Sequence, residues 1–569
     1  MLLKNVTNRI VVIQIGIIFL SLIFVAKLFY IQIICHKALY AKAVQQQVQE
    51  IVIPAVRGDI FFSDNSNLAS SQTAYFLFAE PRNFVEADST DIINYLKDKF
   101  KLDETVVNRL NDKSLWFVPI KHGLQPEEKL EIEKNITSGI VFKQENSRFY
   151  PEDGVASSIL GVVASDQNGL PQGYFGLEGF YNSDLKGKNG RIVAETDASG
   201  NAIIMGSYTE VPQIWGTSMV LSIERPLQYI LEERLKHYLT SYRADATTAV
   251  IIETATGKIL GMASFTREIQ EDGTVKINGL SNLAISDTYE PGSVFKGLTM
   301  SAGIDLGLVT PETSFQDTGP KYYSGHKVDT WDGKHYGTET MYGVLQHSNN
   351  LGAAWVAELL GPKNLWNYFS KFSIGSLLGI DLEGEQTGQL RAYSEWRDID
   401  LATASFGQGV SATALQVANA FVAIANGGEL LKPYLVVSFV QNEPNGNLKV
   451  VKQRNTKTVV SRVITQKSSF TMTDMLFKAA SSGEAKFFVS KKYQIAGKTG
   501  TAQIAVDGGY DPDQTNATFV GFLPKSNKFV MLVRFTKPQT SIYAAETAVP
   551  AWMDISEKLA NYYRIPYDY

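Results

Sequence analysis

Ser293 and Lys296, three residues apart in Glu290-Pro291-Gly292-Ser293-Val294-Phe295-Lys296, stand where a Pro-Gly turn runs into the apolar stretch SVFKGLTMSAGI. In a helix, positions i and i+3 share a face, so the lysine amine can reach the serine oxygen. A serine hydroxyl attacks a carbonyl only when a base takes its proton. A lysine serves as that base only if its pKa falls from about 10.4 to ~7–8. Burial and further cations nearby supply such a fall, so the pair implies a closed, positive pocket. If Ser293 opens the helix, its own N–H points at the attacked carbonyl with the positive end of the helix dipole behind it.

The same S-x-x-K spelling recurs at Ser183 to Lys186, in the polar run NSDLKGKNG, and at Ser324 to Lys327, which spans Gly325 and His326. Neither precedes an apolar helix, and a solvated serine and lysine is the ordinary reading of both. Order separates the Ser293 pair from them. Downstream come Ser348-Asn349-Asn350 and then Lys498-Thr499-Gly500-Thr501, in the sequence S-x-x-K, S-x-N, K-T-G that serine acyltransferases acting on penicillin and cell-wall peptides share. A literal Ser63-Asp64-Asn65 precedes the nucleophile and reads as a decoy. With these motifs the chain resembles the penicillin-recognising serine acyltransferases over nearly its whole length, and among them the class B penicillin-binding proteins. Gly497-Lys498-Thr499 is not a P-loop, because that motif needs glycine where Lys492 stands.

The chain has 569 residues, 44% hydrophobic and 20% charged, with a net charge of -5. That length exceeds one core and implies two or three domains. Mild acidity without a basic stripe argues against nucleic acid. The one cysteine, Cys35, excludes an intrachain disulfide, and six scattered histidines lack zinc-site spacing. No metal or cofactor is expected. Ile10 to Ile34 is apolar except for Gln14, Ser21, Lys27 and Gln32, long enough for the roughly 20 residues that cross a bilayer. It is read as an anchor behind a short cytoplasmic tail, residues 1–9, with the bulk outside. The rival, a cleaved signal peptide ending near Ala41-Lys42-Ala43, has too long an apolar run.

A polar helix is expected over Ala41 to Glu50, then a strand Ile51-Val52-Ile53 ended by Pro54. Arg57-Gly58-Asp59-Ile60 with Leu68-Ala69, Arg148-Phe149-Tyr150-Pro151, and Gly176-Leu177-Glu178-Gly179 resemble the N-terminal module of class B proteins. In that family it is a pedestal, here assigned to residues 35–215. By itself Gly-Leu-Glu-Gly reads as a turn whose glutamate pairs with an arginine; a partner contact is the other open reading. The charged segment Glu86 to Asn135 shows helix-like patterns and no chemistry. Turns are expected at Lys186 to Gly190 and at Ser199-Gly200-Asn201.

The second domain, 216–569, opens with a strand Met219 to Ile223 and a helix whose first turn holds Pro226. A hairpin follows, Thr248 to Glu253 and Ile259 to Ser264. Further strands are expected at Lys498 to Ile504, Ala517 to Phe522 and Phe529 to Phe535, and a closing helix at Val549 to Tyr563. Strands at both ends with helices between them give an α+β class in which a helix-rich region packs beside one antiparallel sheet. That is the transpeptidase fold the resemblance implies. Tyr322, Tyr323, Trp331 and Tyr336 either line a groove or pack on one another. Ser405-Phe406-Gly407-Gln408-Gly409 with Ala412 to Gln416 leans the resemblance toward the division, FtsI-type, members.

A K-T-G-T strand beside the nucleophile offers an edge to an extended peptide and the Thr501 N–H to an oxyanion. Lys498 would keep the pocket positive. The resemblance implies that Ser348 passes a proton to the leaving amine, that Asn350 binds the substrate amide, and that Thr499, Gly500 and Thr501 hold its carboxylate end. It implies a peptidoglycan D,D-transpeptidase that acylates Ser293 with a stem peptide ending in D-Ala-D-Ala and forms a 4→3-type cross-link. β-Lactams would acylate the same serine, and no E-x-x-L-N sequence is present to hydrolyse that adduct. No glycosyltransferase-length module precedes the pedestal, so a SEDS-type polytopic glycosyltransferase and divisome or elongasome proteins are the expected partners. A D,D-carboxypeptidase, and a scaffold subunit with an idle pocket, remain open alternatives.

Overall fold

The computed structural model describes residues 2–86, 88–136, 138–152, 154–166, 171–195, 208–442, 448–453, 457–506 and 509–569. The turn expected at Ser199-Gly200-Asn201 lies outside the described residues. The chain forms two compact units, one of residues 1–56 with 187–215 and one of residues 57–186 with 216–569.

In the first unit the helix Leu2–Phe29 passes through a π-helical turn, Tyr30–Ile34, and after Cys35 a second helix, His36–Gln47, begins. Within it, Ile10–Ile34 is long and apolar enough to cross a membrane, and its side chains are exposed throughout. The polar helix therefore starts five residues before Ala41 and ends at Gln47. It stops there because Val48–Ile53 pairs antiparallel with Gly190–Glu195, from Val48 opposite Glu195 to Ile53 opposite Gly190. Strand pairing captures residues that polarity alone assigns to the helix.

The second unit holds residues 57–186 of the expected pedestal together with the catalytic segment, 216–569; the rest of the pedestal span falls in the first unit. One sheet runs in the order Leu448–Gln453, Val436–Asn442, Ser218–Leu221, Ile60–Phe61, Asn67–Ala79 and Val118–Leu124, with Ile140–Phe149 also paired to Asn67–Ala79. Strands from both sides of residue 216 thus share one ladder. The decoy Ser63-Asp64-Asn65 is the turn between Ile60–Phe61 and Asn67–Ala79, with Asp64 accepting from the Ser66 N–H at 2.9 Å. The charged segment folds as three helices, Ser89–Phe100, Glu104–Asn111 and Pro126–Asn135, around the strand Val118–Leu124.

Arg57, Arg148 and Glu178 form a buried triad that ties this part together. Glu178 is fully buried; Arg57 Nε donates to one carboxylate oxygen at 2.7 Å and Arg148 Nε to the other at 2.6 Å. Arg57 also donates to the Asn182 side chain, and Arg148 to the Gly58 carbonyl, each at 2.8 Å. The Gly-Leu-Glu-Gly sequence is accordingly a short helix, Gly176–Phe180, that places its glutamate between two arginines.

The catalytic segment is built on a six-stranded antiparallel sheet in the order Val275–Asn278, Ile259–Ile269, Ala246–Glu253, Phe529–Thr536, Gly509–Phe522 and Ala496–Val506. Each strand sends alternate side chains to opposite faces. Ala249, Ile251, Met531 and Val533 meet the helices Arg225–Ser241 and Ala548–Tyr562 through Leu231, Leu235, Trp552 and Ile555. Val250, Ile252, Val530 and Leu532 meet a second layer built from Phe295–Asp305, Asn350–Lys371, Ala414–Ala425 and Gln466–Ser482. The α+β expectation of an antiparallel sheet flanked by helices holds, with helices packed on both faces. Ala414–Ala425 is buried along nearly its whole length, which is why it reads as apolar on every side.

Candidate active site

The K-T-G strand, Ala496–Val506, is the edge of the six-stranded sheet and extends beyond both ends of the Lys498 to Ile504 expectation. It lies directly against the nucleophile turn. A Cβ added at Gly500 would sit 2.6 Å from the Pro291 carbonyl oxygen, so only glycine allows this approach. Gly407, at φ 77°, closes the other side: its carbonyl accepts from the Gly292 N–H at 3.1 Å, and a Cβ there would be 2.4 Å from the Gly292 oxygen. The Phe-Gly-Gln-Gly sequence is thus a backbone clasp on the residue before Ser293.

Ser293 sits in a single 3-10 turn, Gly292–Val294, that leads into the helix Phe295–Asp305. Lys296 is 1% exposed and lies 3.0 Å from Ser293 Oγ. Its Nζ also reaches the Ser348 carbonyl at 2.5 Å, Ser348 Oγ at 3.2 Å and Asn350 Oδ1 at 2.8 Å. Lys498 Nζ approaches Ser348 Oγ from the other side at 3.1 Å. The structure therefore brings Ser293, Lys296, Ser348, Asn350 and Lys498 into one hydrogen-bonded cluster, with Thr499 joined to it through Lys498 at 3.0 Å. Thr501 Oγ1 accepts from the Ala544 N–H at 3.0 Å. Ser183 with Lys186, and Ser324 with Lys327, are exposed, and Lys327 pairs with Asp329.

Burial first, then the nearby Lys498 ammonium, hold the Lys296 amine well below the ordinary lysine range, while Glu484 pulls it back up. Burial lowers Lys498 too, and Glu484 opposes that shift. Desolvation of a buried cation sets both directions, with a like charge adding to it at Lys296 and the one unlike charge opposing it at both. The closed, positive pocket that a lysine base requires is present.

Ser348 is held in the left-handed region, φ 54°, by its successor. Asn349 caps the helix Asn350–Lys371: its Oδ1 accepts from the N–H groups of Leu351 and Gly352 at 2.9 and 3.1 Å. Its Nδ2 donates to Asp317 at 2.9 Å and to Glu339 at 2.8 Å, two buried carboxylates. Glu339 also pairs with His347, on which Tyr336 stacks at 4.2 Å. Asn350 Nδ2 donates to the Asp329 carbonyl at 2.9 Å. Asn349, Asp317, Glu339 and Glu484 lie outside the motif spelling. For Asn349 a signal existed, an asparagine directly before an apolar helix; the three carboxylates carry none, because only folding brings them to the motif.

The aromatic run divides. Tyr323 is buried with its hydroxyl on Glu358, and Tyr336 is packed on His347. Trp331 is half-exposed, donates to the His347 carbonyl at 3.2 Å and meets Tyr543 edge-on at 5.8 Å. Trp331 comes two residues after Asp329, whose carbonyl holds Asn350, and Tyr543 precedes the N–H that reaches Thr501.

The chain matches the penicillin binding protein transpeptidase domain over residues 247–555 and the penicillin-binding protein dimerisation domain over residues 52–221. It belongs to the class B penicillin-binding proteins. This penicillin-binding protein is 29% identical over 564 residues to stage V sporulation protein D of Bacillus subtilis, covering 97% of this chain and 85% of that protein. It is 28% identical over 575 residues to the peptidoglycan D,D-transpeptidase FtsI of Buchnera aphidicola, covering 98% and 96%. Its fold resembles the crystal structure of a peptidoglycan synthetase from Bifidobacterium adolescentis, with a TM-score of 0.70 at 24% identity over 92% of this chain and 98% of that one.

Proposed function

We propose that this penicillin-binding protein is a peptidoglycan D,D-transpeptidase that works through an acyl-enzyme on Ser293. Lys296 Nζ, 3.0 Å from Ser293 Oγ and shielded from water, carries the reading. Neutral Lys296 takes the hydroxyl proton as Ser293 Oγ bonds to the carbonyl carbon of the penultimate D-Ala. The N–H groups of Ser293 and Thr501 receive the oxyanion. The C–N bond then breaks, and the proton passes from Lys296 through Ser348 Oγ to the departing D-Ala amine. The 3.2 and 3.1 Å contacts of Ser348 with Lys296 and Lys498 support that relay. An acceptor amine attacks the ester, returns its proton along the same path and restores the serine. Asn350 binds the peptide amide, and Thr499, Gly500 and Thr501 form the edge along which the donor lies.

The span Ile10–Ile34 anchors the chain in the plasma membrane with the catalytic segment on the outer side, where stem peptides are found. The pedestal, residues 35–215, carries the catalytic domain, 216–569, and contacts a SEDS-type polytopic glycosyltransferase and other wall-synthesis proteins. The likeness to a relative named FtsI and the Ser405 to Gly409 sequence favour work at division.

The test is labelling by a fluorescent penicillin, with the modified peptide located by mass spectrometry in the native chain and in Ser293→Ala, Ser183→Ala and Ser324→Ala. Loss of label in Ser293→Ala alone supports the reading. Well-folded native protein that takes no label refutes it and leaves a scaffold. D-Ala release that rises on adding an amine acceptor separates transpeptidation from carboxypeptidation.

A further inference from the structure

Glu484 follows Gly483, the residue that ends the helix Gln466–Ser482, and its carboxylate accepts the hydrogen bond of the Thr499 hydroxyl. The same carboxylate oxygen lies 4.0 Å from Lys498 Nζ, and the side chain is 21% exposed. Lys498 donates onward to Thr499 Oγ1 at 3.0 Å and to Ser348 Oγ at 3.1 Å. Glu484, Lys498 and Thr499 line one small pocket together with Gln346, Gly497 and Phe519. None of the three motifs requires an acid at this position.

Two consequences follow from elementary chemistry. Both lysines share Ser348 Oγ, and two buried ammonium groups repel, so one of them gives up its proton more readily. The nearest anion decides which: Glu484 is beside Lys498. A threonine hydroxyl also has a single proton. That of Thr499 goes to Glu484, whereas Thr501 Oγ1 accepts from the Ala544 N–H and keeps its proton for a ligand.

We propose that Glu484 is a positioning residue of this active site: it holds Lys498 as the ammonium and turns the Thr499 hydroxyl toward itself. Lys296 is then left as the base, and Thr501 as the hydroxyl that meets the donor's terminal carboxylate. The inference rests on Ser293 being the acylated nucleophile. Other titratable groups on the facing segment are Tyr336, His347 and Glu339; His347 pairs with Glu339, and the Tyr336 hydroxyl donates to Asp332. From the helix Phe295–Asp305 the facing group is Lys296, and from the edge strand it is Lys498.

The test is the second-order rate of Ser293 labelling by a fluorescent penicillin, followed from pH 5 to 10 on the full chain in detergent. Native protein, Glu484→Gln, Glu484→Asp and Glu484→Ala are compared. Labelling rises with pH as Lys296 loses its proton and falls again as Lys498 does, the two limbs belonging to the coupled pair. Glu484 raises both amines, so its neutralisation moves both limbs to lower pH. Glutamine still accepts from Thr499 and keeps the native maximum while its rising limb starts at lower pH, aspartate keeps the native profile, and alanine shifts as glutamine does with a lower maximum. A Glu484→Gln profile with native limbs, merely scaled, would overturn the proposal, as would equal profiles for Glu484→Ala and Glu484→Asp. Native protein that never labels at Ser293 overturns the acyl-enzyme reading instead, so the two failures are distinct.

Discussion

Replacing Asn349 by alanine tests whether the second motif is positioned by the residue it leaves unspecified. The Asn349 side chain makes four hydrogen bonds: two accepted from the helix N-terminus and two donated to the buried carboxylates of Asp317 and Glu339. Loss of the cap costs about 1 kcal/mol. Each donation to a buried carboxylate is worth about 1.5–3 kcal/mol, and the two are not independent because they share one amide. The sum expected for Asn349→Ala is about 3–5 kcal/mol. Ser348, held at φ 54° just before the cap, relaxes with it, and both lysines lose their shared partner. Urea denaturation read by tryptophan fluorescence, alongside the penicillin labelling rate, measures both effects. Labelling of the folded fraction should fall by at least about tenfold. Asn349→Ser keeps a capping oxygen and should lose less stability than alanine, whereas Asn349→Asp sets a third carboxylate against two others and should lose the most. If alanine stays within about 1 kcal/mol of the native chain, or if serine is as damaging as aspartate, the reasoning is wrong.

Other outcomes follow from the same geometry. The native labelling rate should climb with pH and reach half its maximum well below the ordinary lysine value of about 10.4, because burial and Lys498 depress Lys296; a half-rise near that value in a pH-rate series would exclude Lys296 as the base. Glu178→Gln leaves Arg57 and Arg148 without a counter-charge in a buried setting and should cost about 3–5 kcal/mol, seen as an earlier thermal transition. An unchanged transition would refute that accounting. Gly500→Ala drives a methyl into the Pro291 carbonyl and should slow labelling by about tenfold or more while costing only ~1–3 kcal/mol, since the strand must move off the nucleophile turn. Native labelling in that variant would show that the contact is slack.

Much of the fold was legible because strands and helices here keep their periods. Val250 and Ile251 face opposite layers, as alternation requires, and Pro226 stands in the first turn of Arg225–Ser241. Boundaries were legible to within about five residues except where a strand ran on beyond its apolar stretch, as at Gly509–Phe522, which begins eight residues before Ala517. Helices on both sides of the sheet were legible too, because strands buried on two faces, such as Phe529–Thr536, read as continuous apolar runs rather than alternating ones.

At the site, the amino-acid sequence alone determined that Ser293 and Lys296 meet and the order of the three motifs, since a helical turn brings residues three apart together wherever it forms. Spacing of three is a local fact. The tertiary structure alone decided that Lys296 and Lys498 converge on one serine hydroxyl, that Asp317 and Glu339 grip Asn349, and that Glu484 stands 4.0 Å from Lys498. Those contacts join residues up to 150 positions apart. Charge, burial and hydrogen-bond geometry across such distances exist only once the sheet edge, the nucleophile turn and the helix ends have packed together.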